Sequence, residues 1–121
     1  MRLYAHNYEV CSISKNYNMI ASSDSSGVVN IWDIRNKNCF SNQHLFKKSA
    51  IKALEWCPWK NGILAAGGGS KDPRIIVWNH NEREIIQKFK AKSQVTRLLW
   101  KQQTRELVTT HGSGLGVVWN V

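Results

Sequence analysis

The sequence predicts an all-β protein made of repeated four-stranded antiparallel sheets, which stack side by side like the blades of a propeller. Three segments, 28–33, 75–79 and 116–120, are β-branched runs that end in Trp followed by Asp or Asn. Their tryptophans, at positions 32, 78 and 119, are 46 and 41 residues apart, which is the length of one such blade. The apolar residues show poor helical spacing, so we expect no helix.

The first strand of each unit is predicted from a short apolar run. Such runs are typical of strands that neighbouring sheets bury on both faces. The three runs are 10–14, 51–56 and 95–100. The second strands follow polar turns and end in small residues, as crowding near a central axis would require. These second strands are 19–22, 63–66 and 106–109.

The outer, fourth strand of a unit is predicted after a polar turn that follows the tryptophan. The segments 42–46 and 84–89 fit this strand. Only two residues follow Trp119, so we expect the third unit to lack its outer strand. The sequence therefore predicts one partial propeller over residues 1–121. Its three units cover about 6–46, 47–89 and 90–121.

Three blades cannot close a ring, because known propellers have about four to eight blades. An open stack would leave two apolar faces and unpaired strand edges in water. We therefore expect missing blades or another chain to complete the ring. The chain would then be a fragment, a truncated gene product or one unit of an assembly, and two paired copies would supply six blades.

The charge of the chain is strongly positive, at +9 from 17 Lys and Arg against 8 Asp and Glu. The basic residues are dispersed, and Lys47-Lys48 is the only adjacent pair. This favours a solvated basic surface over a nucleic-acid interface, with an acidic protein partner as a third interpretation. No apolar run approaches the roughly 18 residues of a membrane span. The first residues lack the apolar core of a signal peptide, so a cytosolic or nuclear location is expected.

The cysteines and the catalytic side-chain types indicate neither a cofactor nor an enzyme. Cys11, Cys39 and Cys57 are odd in number and lack CxxC spacing, which favours reduced, mostly buried thiols over a zinc site. The histidines have no metal-ligand spacing, and no nucleophile stands with a base in a recognisable arrangement. A binding module is therefore favoured over an enzyme.

The repeat resembles the WD repeat. In that family a loop His, a strand Ser or Thr, a turn Asp and the third-strand Trp form a hydrogen-bonded set. The resemblance assigns these roles in unit one to His6, Ser22, Asp24 and Trp32. The set is structural rather than catalytic, because a buried indole N–H needs an acceptor. Lys47 and Lys92 stand where the His of units two and three would fall, so those units must satisfy their tryptophans in another way.

A narrower resemblance lies in units two and three. The turn Trp-Cys-Pro-Trp at 56–59 is followed by Leu-Ala-Ala-Gly-Gly-Gly at 64–69 and by Ile-Ile-Val-Trp-Asn at 75–79. Unit three adds Ser-Gln-Val at 93–95 and Glu-Leu-Val-Thr-Thr-His-Gly at 106–112. This pattern closely resembles the Fizzy and Fizzy-related family, the co-activators of the anaphase-promoting complex, which is a ubiquitin ligase. By comparison with that family, the units correspond to central blades of seven.

The resemblance implies a substrate-recognition or co-activator subunit of that ligase, binding degron peptides in cell-cycle control. Its partners would be subunits of the complex and degron-bearing proteins, in the nucleus and cytoplasm, without a cofactor. The family's top rim receives a Lys-Glu-Asn segment, and the residues that match this rim by position are Asp24, Ser25, Ser26 and Ser70. The sequence lacks the family's N-terminal docking motif and its C-terminal Ile-Arg tail, which leaves open whether this chain alone activates the ligase.

Several of these residues have a second interpretation. Asp24 either pairs with a lysine of the peptide or serves the hydrogen-bonded set. The glycines at 67–69 either let a peptide backbone approach or form a tight strand-to-loop turn. Trp56, Trp59 and Trp100 form either a recognition patch or, as we favour, packing between blades. The alternative function is a generic WD-repeat interaction scaffold or an inactive, truncated remnant.

Overall fold

The computed structural model describes residues 6–44, 46 and 49–121, and these form eleven strands in three antiparallel sheets. Blade 1 contains β1 (Val10–Asn16), β2 (Met19–Asp24), β3 (Val28–Asp33) and β4 (Asn36–His44). Blade 2 contains β5 (Ile51–Trp56), β6 (Ile63–Gly68), β7 (Arg74–Asn79) and β8 (Glu84–Lys90). Blade 3 contains β9 (Val95–Lys101), β10 (Glu106–His111) and β11 (Gly116–Asn120). The described residues contain no helix, and so none that could cross a membrane.

Each strand pairs with the next along the chain, so every blade is an antiparallel meander. The first strands β1, β5 and β9 lie side by side, which places them at the inner edge where the three blades converge. The third sheet has three strands. The predicted all-β fold, with three antiparallel blades of which the last lacks an outer strand, is confirmed. The boundaries of the units stay predictions, and the strands span 10–44, 51–90 and 95–120.

The core lies between the blades rather than within any one of them. Ile31, Leu64 and Trp78 pack between blades 1 and 2, and Val77 and Leu107 pack between blades 2 and 3. All five side chains are at most 1% exposed, and burial of each contributes about 2 kcal/mol. Blade 2 is therefore covered on both faces, which suits the continuous apolar runs of its strands.

The expectation that all first strands are buried on both faces is wrong for β1 and β9. In blade 1, Val10 and Ile13 are 54% and 67% exposed, whereas the matching Ile51 of blade 2 is fully buried. These positions face the preceding blade, and no such blade precedes blade 1 among the described residues. Leu99 of β9 is exposed on the opposite face of the stack for the corresponding reason.

The outer strand of blade 1 starts earlier than the sequence predicts. β4 begins at Asn36 and ends at His44, whereas the prediction placed it at 42–46. The turn before it is short, because Asp33 pairs with Asn36 and its carboxylate accepts the Arg35 backbone N–H at 2.9 Å. An outer strand with one face in water tolerates polar residues, so the residue composition does not show where such a strand begins.

Candidate functional site

The loops between second and third strands all lie on one side of the stack, together with the segments that precede the first strands. We call this side the serine rim and define it by the loops 24–27, 69–73 and 111–115. Backbone hydrogen bonds hold it together: the Ser25 N–H donates to the Glu9 carbonyl at 3.0 Å, and the Gly112 N–H donates to the Gln94 carbonyl at 3.0 Å. The rim is therefore built from the residue positions that the family resemblance singles out.

Asp24 does not project from this rim. Its residue is 2% exposed, and its carboxylate accepts hydrogen bonds from the Ser26 hydroxyl at 2.6 Å, the Ser26 N–H at 2.9 Å and the Val28 N–H at 3.2 Å. Burial alone would raise the pKa of Asp24, but hydrogen bonds from Ser26, His6 and Val28 outweigh it and hold the pKa below its ordinary value. Because Asp24 is buried and fully used inside blade 1, it is not available to a lysine of a peptide.

His6 joins Asp24 to the tryptophan of the same blade. Its Nδ1 lies 2.8 Å from the Asp24 carboxylate, and its Nε2 lies 2.7 Å from the Ser22 hydroxyl oxygen. The Trp32 indole N–H donates to that same oxygen at 3.4 Å. All groups are satisfied if Nδ1 carries the proton, Ser22 donates to Nε2 and Ser22 accepts from Trp32. The four side chains that the resemblance grouped therefore lie in one hydrogen-bonded chain.

The three serines predicted for the rim separate into two kinds. Ser26 uses its hydroxyl on Asp24 inside blade 1. Ser25 and Ser70 instead line one shallow groove of about 220 Å³ between blades 1 and 2, together with Lys52, Lys71 and Gln94. The structure thus brings Ser25 and Ser70 together at the surface, whereas Asp24 is buried and the half-buried Ser26 is hydrogen-bonded to it.

Some charged side chains of the serine rim are paired with each other, and others are exposed without a salt bridge. Asp72 is paired with Arg74, whose guanidinium nitrogens lie 2.6 and 2.7 Å from its carboxylate oxygens. Lys52, Lys71 and Lys92 are exposed, and none of the three forms a salt bridge within the described part of the chain. The three exposed lysines outnumber the exposed carboxylate of Glu9, which adjoins Ser25, so the available charge at this rim is mainly positive and would attract an anionic group.

The glycine triplet serves packing rather than the approach of a peptide. A Cβ on Gly67 would overlap the side chain of Val95 in blade 3, and one on Gly68 would overlap the Asp72 carbonyl oxygen. At Gly69 the added atom would lie 2.9 Å from the Ala50 carbonyl oxygen. None of the three has a positive φ, so contact with neighbours, not backbone freedom, requires glycine here.

Blade 3 contains a hydrogen-bonded chain that sequence reasoning missed. The Trp119 indole N–H donates to the Thr109 hydroxyl at 2.8 Å, and that hydroxyl lies 2.8 Å from His111 Nε2. Thr109 and His111 are buried. Register supplies the signal: Thr109 follows the partner of Trp119 by two residues, just as Ser22 follows the partner of Trp32. His111 therefore stands at the position of Asp24, while Lys92 is exposed at the rim.

Blade 2 has apolar packing at the positions where blade 1 has its hydrogen-bonded chain. At the positions of Ser22 and Asp24 it carries Ala66 and Gly68, and the Phe46 ring lies against Gly68. The Trp78 indole N–H is buried and has no hydrogen-bond partner among the described residues. Lys47, which the sequence placed at the His position, lies outside the described residues. Among the described residues, the tryptophan of the middle blade is therefore surrounded by apolar groups and finds no acceptor.

Removing the Thr109 hydroxyl should destabilise blade 3. Thr109→Val keeps the shape of the side chain but leaves the Trp119 N–H and His111 without their shared partner. We therefore expect the free energy of unfolding to fall by about 1–2 kcal/mol. Thr110→Val is the matched control, because Thr110 is exposed and bonds only to Thr96 on the opposite face. Urea denaturation measures both variants, and equal losses would contradict this role for Thr109.

The tryptophans Trp56 and Trp100 connect neighbouring blades. The Trp56 indole donates to the Ser14 carbonyl at 3.1 Å, and the Trp100 indole donates to the Glu55 carbonyl at 3.0 Å. Both are buried, while Trp59 is half-buried and stands edge-on to Trp100. Packing between blades therefore accounts for two of the three aromatic residues that were candidates for a recognition patch.

The cysteines Cys11 and Cys57 are free thiols. Cys57 is buried and Cys11 is half-buried, and burial raises the pKa of each thiol. The Cys39 side chain, which shared the same prediction, lies outside the described residues.

Comparisons with known proteins agree with this architecture. The family model "WD domain, G-beta repeat" matches residues 1–33. The chain is 38% identical to "WD repeat-containing protein srw1" of Schizosaccharomyces pombe, over 91% of this chain and 20% of that protein. It is 35% identical to "Anaphase-promoting complex subunit cdc20" of Dictyostelium discoideum, over 91% of this chain and 23% of that protein. The chain thus spans about a fifth of the length of these relatives.

A solved structure extends the likeness to the backbone. A chain of the structure titled "Crystal Structure of Mitotic Checkpoint Complex" superposes with a TM-score of 0.91 at 32% identity, over 98% of this chain and 37% of that chain. Three radiating sheets with a Trp-centred hydrogen-bonded chain in blade 1 define a partial WD-repeat propeller. Over the length that it spans, the chain is similar to the WD-repeat propellers of the Fizzy and Fizzy-related family.

Proposed function

We propose that the chain is part of a substrate-recognition subunit, or co-activator, of the anaphase-promoting complex, and that its serine rim binds degron peptides in cell-cycle control. The observation that carries the proposal is the match over nine-tenths of the chain to proteins such as "APC/C activator protein CDH1" of Saccharomyces cerevisiae, at 36% identity. That match covers 19% of the yeast protein, so missing blades or another chain complete the ring.

The groove at Ser25 and Ser70 supports the position of the binding site. Hydroxyl groups of both serines and the amide of Gln94 can donate to and accept from a peptide backbone. Lys71 stands at the groove and can pair with a carboxylate. A Lys-Glu-Asn segment would therefore direct its glutamate toward Lys71, rather than its lysine toward Asp24.

The proposal describes a binding protein and not an enzyme. It acts by holding a substrate near a ligase, so it needs no nucleophile and no cofactor. A subunit of this kind works in the nucleus and cytoplasm, and that is the location assigned to this chain. Its partners are subunits of the ligase and proteins that carry degrons, with neither a membrane nor a nucleic acid among them.

A charge reversal at the groove tests the proposal. Lys71→Glu should weaken binding of a fluorescein-labelled Lys-Glu-Asn peptide about fivefold or more, because it replaces an attraction with a repulsion. Lys101→Glu is the matched control, since Lys101 is exposed at the far end of β9 and changes the net charge equally. Fluorescence anisotropy gives both affinities.

The peptide series provides the second readout. A Lys-Gln-Asn peptide should bind the parent chain more weakly than Lys-Glu-Asn does. It should bind the Lys71→Glu variant more tightly than Lys-Glu-Asn does, because it lacks the glutamate that Glu at position 71 would repel. A parent chain that binds Lys-Glu-Asn no better than a scrambled peptide would contradict degron recognition at this rim. That result would favour the generic WD-repeat scaffold.

A further inference from the structure

A second pocket lies on the side of the stack opposite to the serine rim, between blades 2 and 3. Its volume is about 480 Å³, within the range that holds a small ligand or a large side chain. The floor is apolar and consists of Cys57, Ile63, Val77 and Trp100, each of which is buried or nearly so. We call it the tryptophan pocket, after Trp100 and the half-exposed Trp59 at its wall.

The geometry of this pocket is held in place by hydrogen bonds. The Trp100 indole N–H is committed to the Glu55 carbonyl at 3.0 Å. The Trp59 ring stands at 89° to the Trp100 ring, with centroids 5.2 Å apart. The two aromatic walls are therefore preorganised, and a bound apolar side chain would not have to order them.

Two cations, Lys60 and Arg105, stand at the mouth of the pocket. Both are exposed, and neither forms a salt bridge within the described residues. Among the side chains that line the pocket in the described part of the chain, none is acidic, and the last residue, Val121, also lines it. Burial raises the pKa of Cys57, while backbone N–H groups and the charges of Lys60 and Arg105 oppose the rise.

The backbone at Arg105 adopts a conformation that is unfavourable for a residue with a side chain. Arg105 has a φ of 54°, a left-handed conformation that favours glycine. The matching position in the blade 2 turn, just before the second strand, is Gly62 with a φ of 83°. Blade 3 thus holds a charged side chain where glycine would fit without strain. Tyr17 and Arg83 have the same conformation, with φ of 54° and 53°, so the strain alone does not mark a functional residue. It does make glycine a substitution at Arg105 that removes the charge without straining the backbone.

We propose that the tryptophan pocket is a second binding site, which takes an acidic protein segment bearing one large apolar side chain. The apolar side chain would pack against Trp59 and the apolar floor of the pocket, and flanking carboxylates would pair with Lys60 and Arg105. A nucleic acid fits less well, because Trp59 stands edge-on to Trp100 and leaves no pair of parallel rings for stacking bases. The site is separate from the serine rim and does not depend on the function proposed for that rim.

A fluorescein-labelled peptide with one phenylalanine between aspartates is the probe. Arg105→Gly removes the charge and relieves the backbone, so we expect Tm to be equal or higher while binding weakens about fivefold. Arg83→Gly is the matched control: Arg83 has a φ of 53° in the β7–β8 turn and does not line the pocket. Lys60→Gln is a second pocket variant whose backbone is unchanged, and it should weaken binding by a similar factor.

Control ligands decide between this site and its alternatives. Replacing the phenylalanine of the probe by alanine, or its aspartates by asparagines, should each reduce binding at least fivefold. The proposal is overturned if Arg83→Gly weakens binding as much as Arg105→Gly, or if neither pocket variant changes it. Displacement of the probe by a single-stranded oligonucleotide would assign the pocket to nucleic acid instead. Displacement of the probe by an unlabelled Lys-Glu-Asn peptide would show that both peptides share one site. Binding of the probe at the serine rim alone would overturn the second site and leave only the rim proposal standing.

Discussion

Replacing Gly68 with alanine should lower the free energy of unfolding by about 3 kcal/mol or more, near the upper end of measured overpacking costs. The new Cβ would overlap the Asp72 carbonyl oxygen and would lie 2.7 Å from the nearest atom of the Phe46 ring. Backbone cannot move aside as a flexible side chain can, so the loop at 69–72 would have to shift. Urea denaturation followed by tryptophan fluorescence measures the loss.

Gly116→Ala is the matched control for this change. Gly116 also lies in a strand, but the nearest atom to an added Cβ is the Thr109 carbonyl oxygen at 3.9 Å. With room available and no positive φ, alanine there should be neutral or should stabilise by about 0.5 kcal/mol, since it restricts the unfolded chain. If Gly68→Ala is equally neutral, the triplet does not serve packing, and the close approach of a ligand becomes the better explanation.

Replacing Asp24 with asparagine should lower the free energy of unfolding by about 3 kcal/mol at neutral pH. The buried carboxylate accepts bonds from His6, Ser26 and Val28, and removing one member of such a set leaves its partners unsatisfied. Asp33→Asn is the control, because Asp33 is more exposed and pairs only locally with Arg35; its effect on Tm should be small. Denaturant titration of both variants checks the difference.

The pH dependence of stability in the parent chain and in the Asp24→Asn variant supplies a second test. Hydrogen bonding holds the pKa of Asp24 below its ordinary value, so its carboxylate stabilises the fold above about pH 4. That contribution is lost as pH falls through the depressed pKa. The gap in stability between the parent chain and Asp24→Asn should therefore narrow on acidification. A gap that stays constant from pH 7 to pH 3 would argue that charge plays no part.

Local chemistry accounts for what could be predicted from the sequence. The spacing of the tryptophans at 32, 78 and 119 gives the length of the repeat, and polar turn residues mark the ends of the strands. Both signals can be read directly along the chain. The fold class and the missing outer strand of blade 3 followed from them. The hydrogen-bonded chain from His6 to Trp32 was assigned by resemblance, because the four residue types stand at the positions of the WD-repeat pattern.

Other features depended on partners that are distant in sequence. His111 takes the position of Asp24 only when β10 is set in register with β11, and Gly67 requires glycine only because Val95 of the next blade lies against it. Arg105 and Lys60 come from turns about 45 residues apart and meet at one pocket.

The sequence by itself determined the blades, since strand, turn and repeat signals are local. Only the tertiary structure decided which polar groups were buried and which stayed available. Asp24 is buried in blade 1 and engages the hydroxyl of the half-buried Ser26, while Ser25 and Ser70 remain available at the rim. The physical reason is that burial depends on which blade packs against which face, and no short window of sequence contains both sides of that contact.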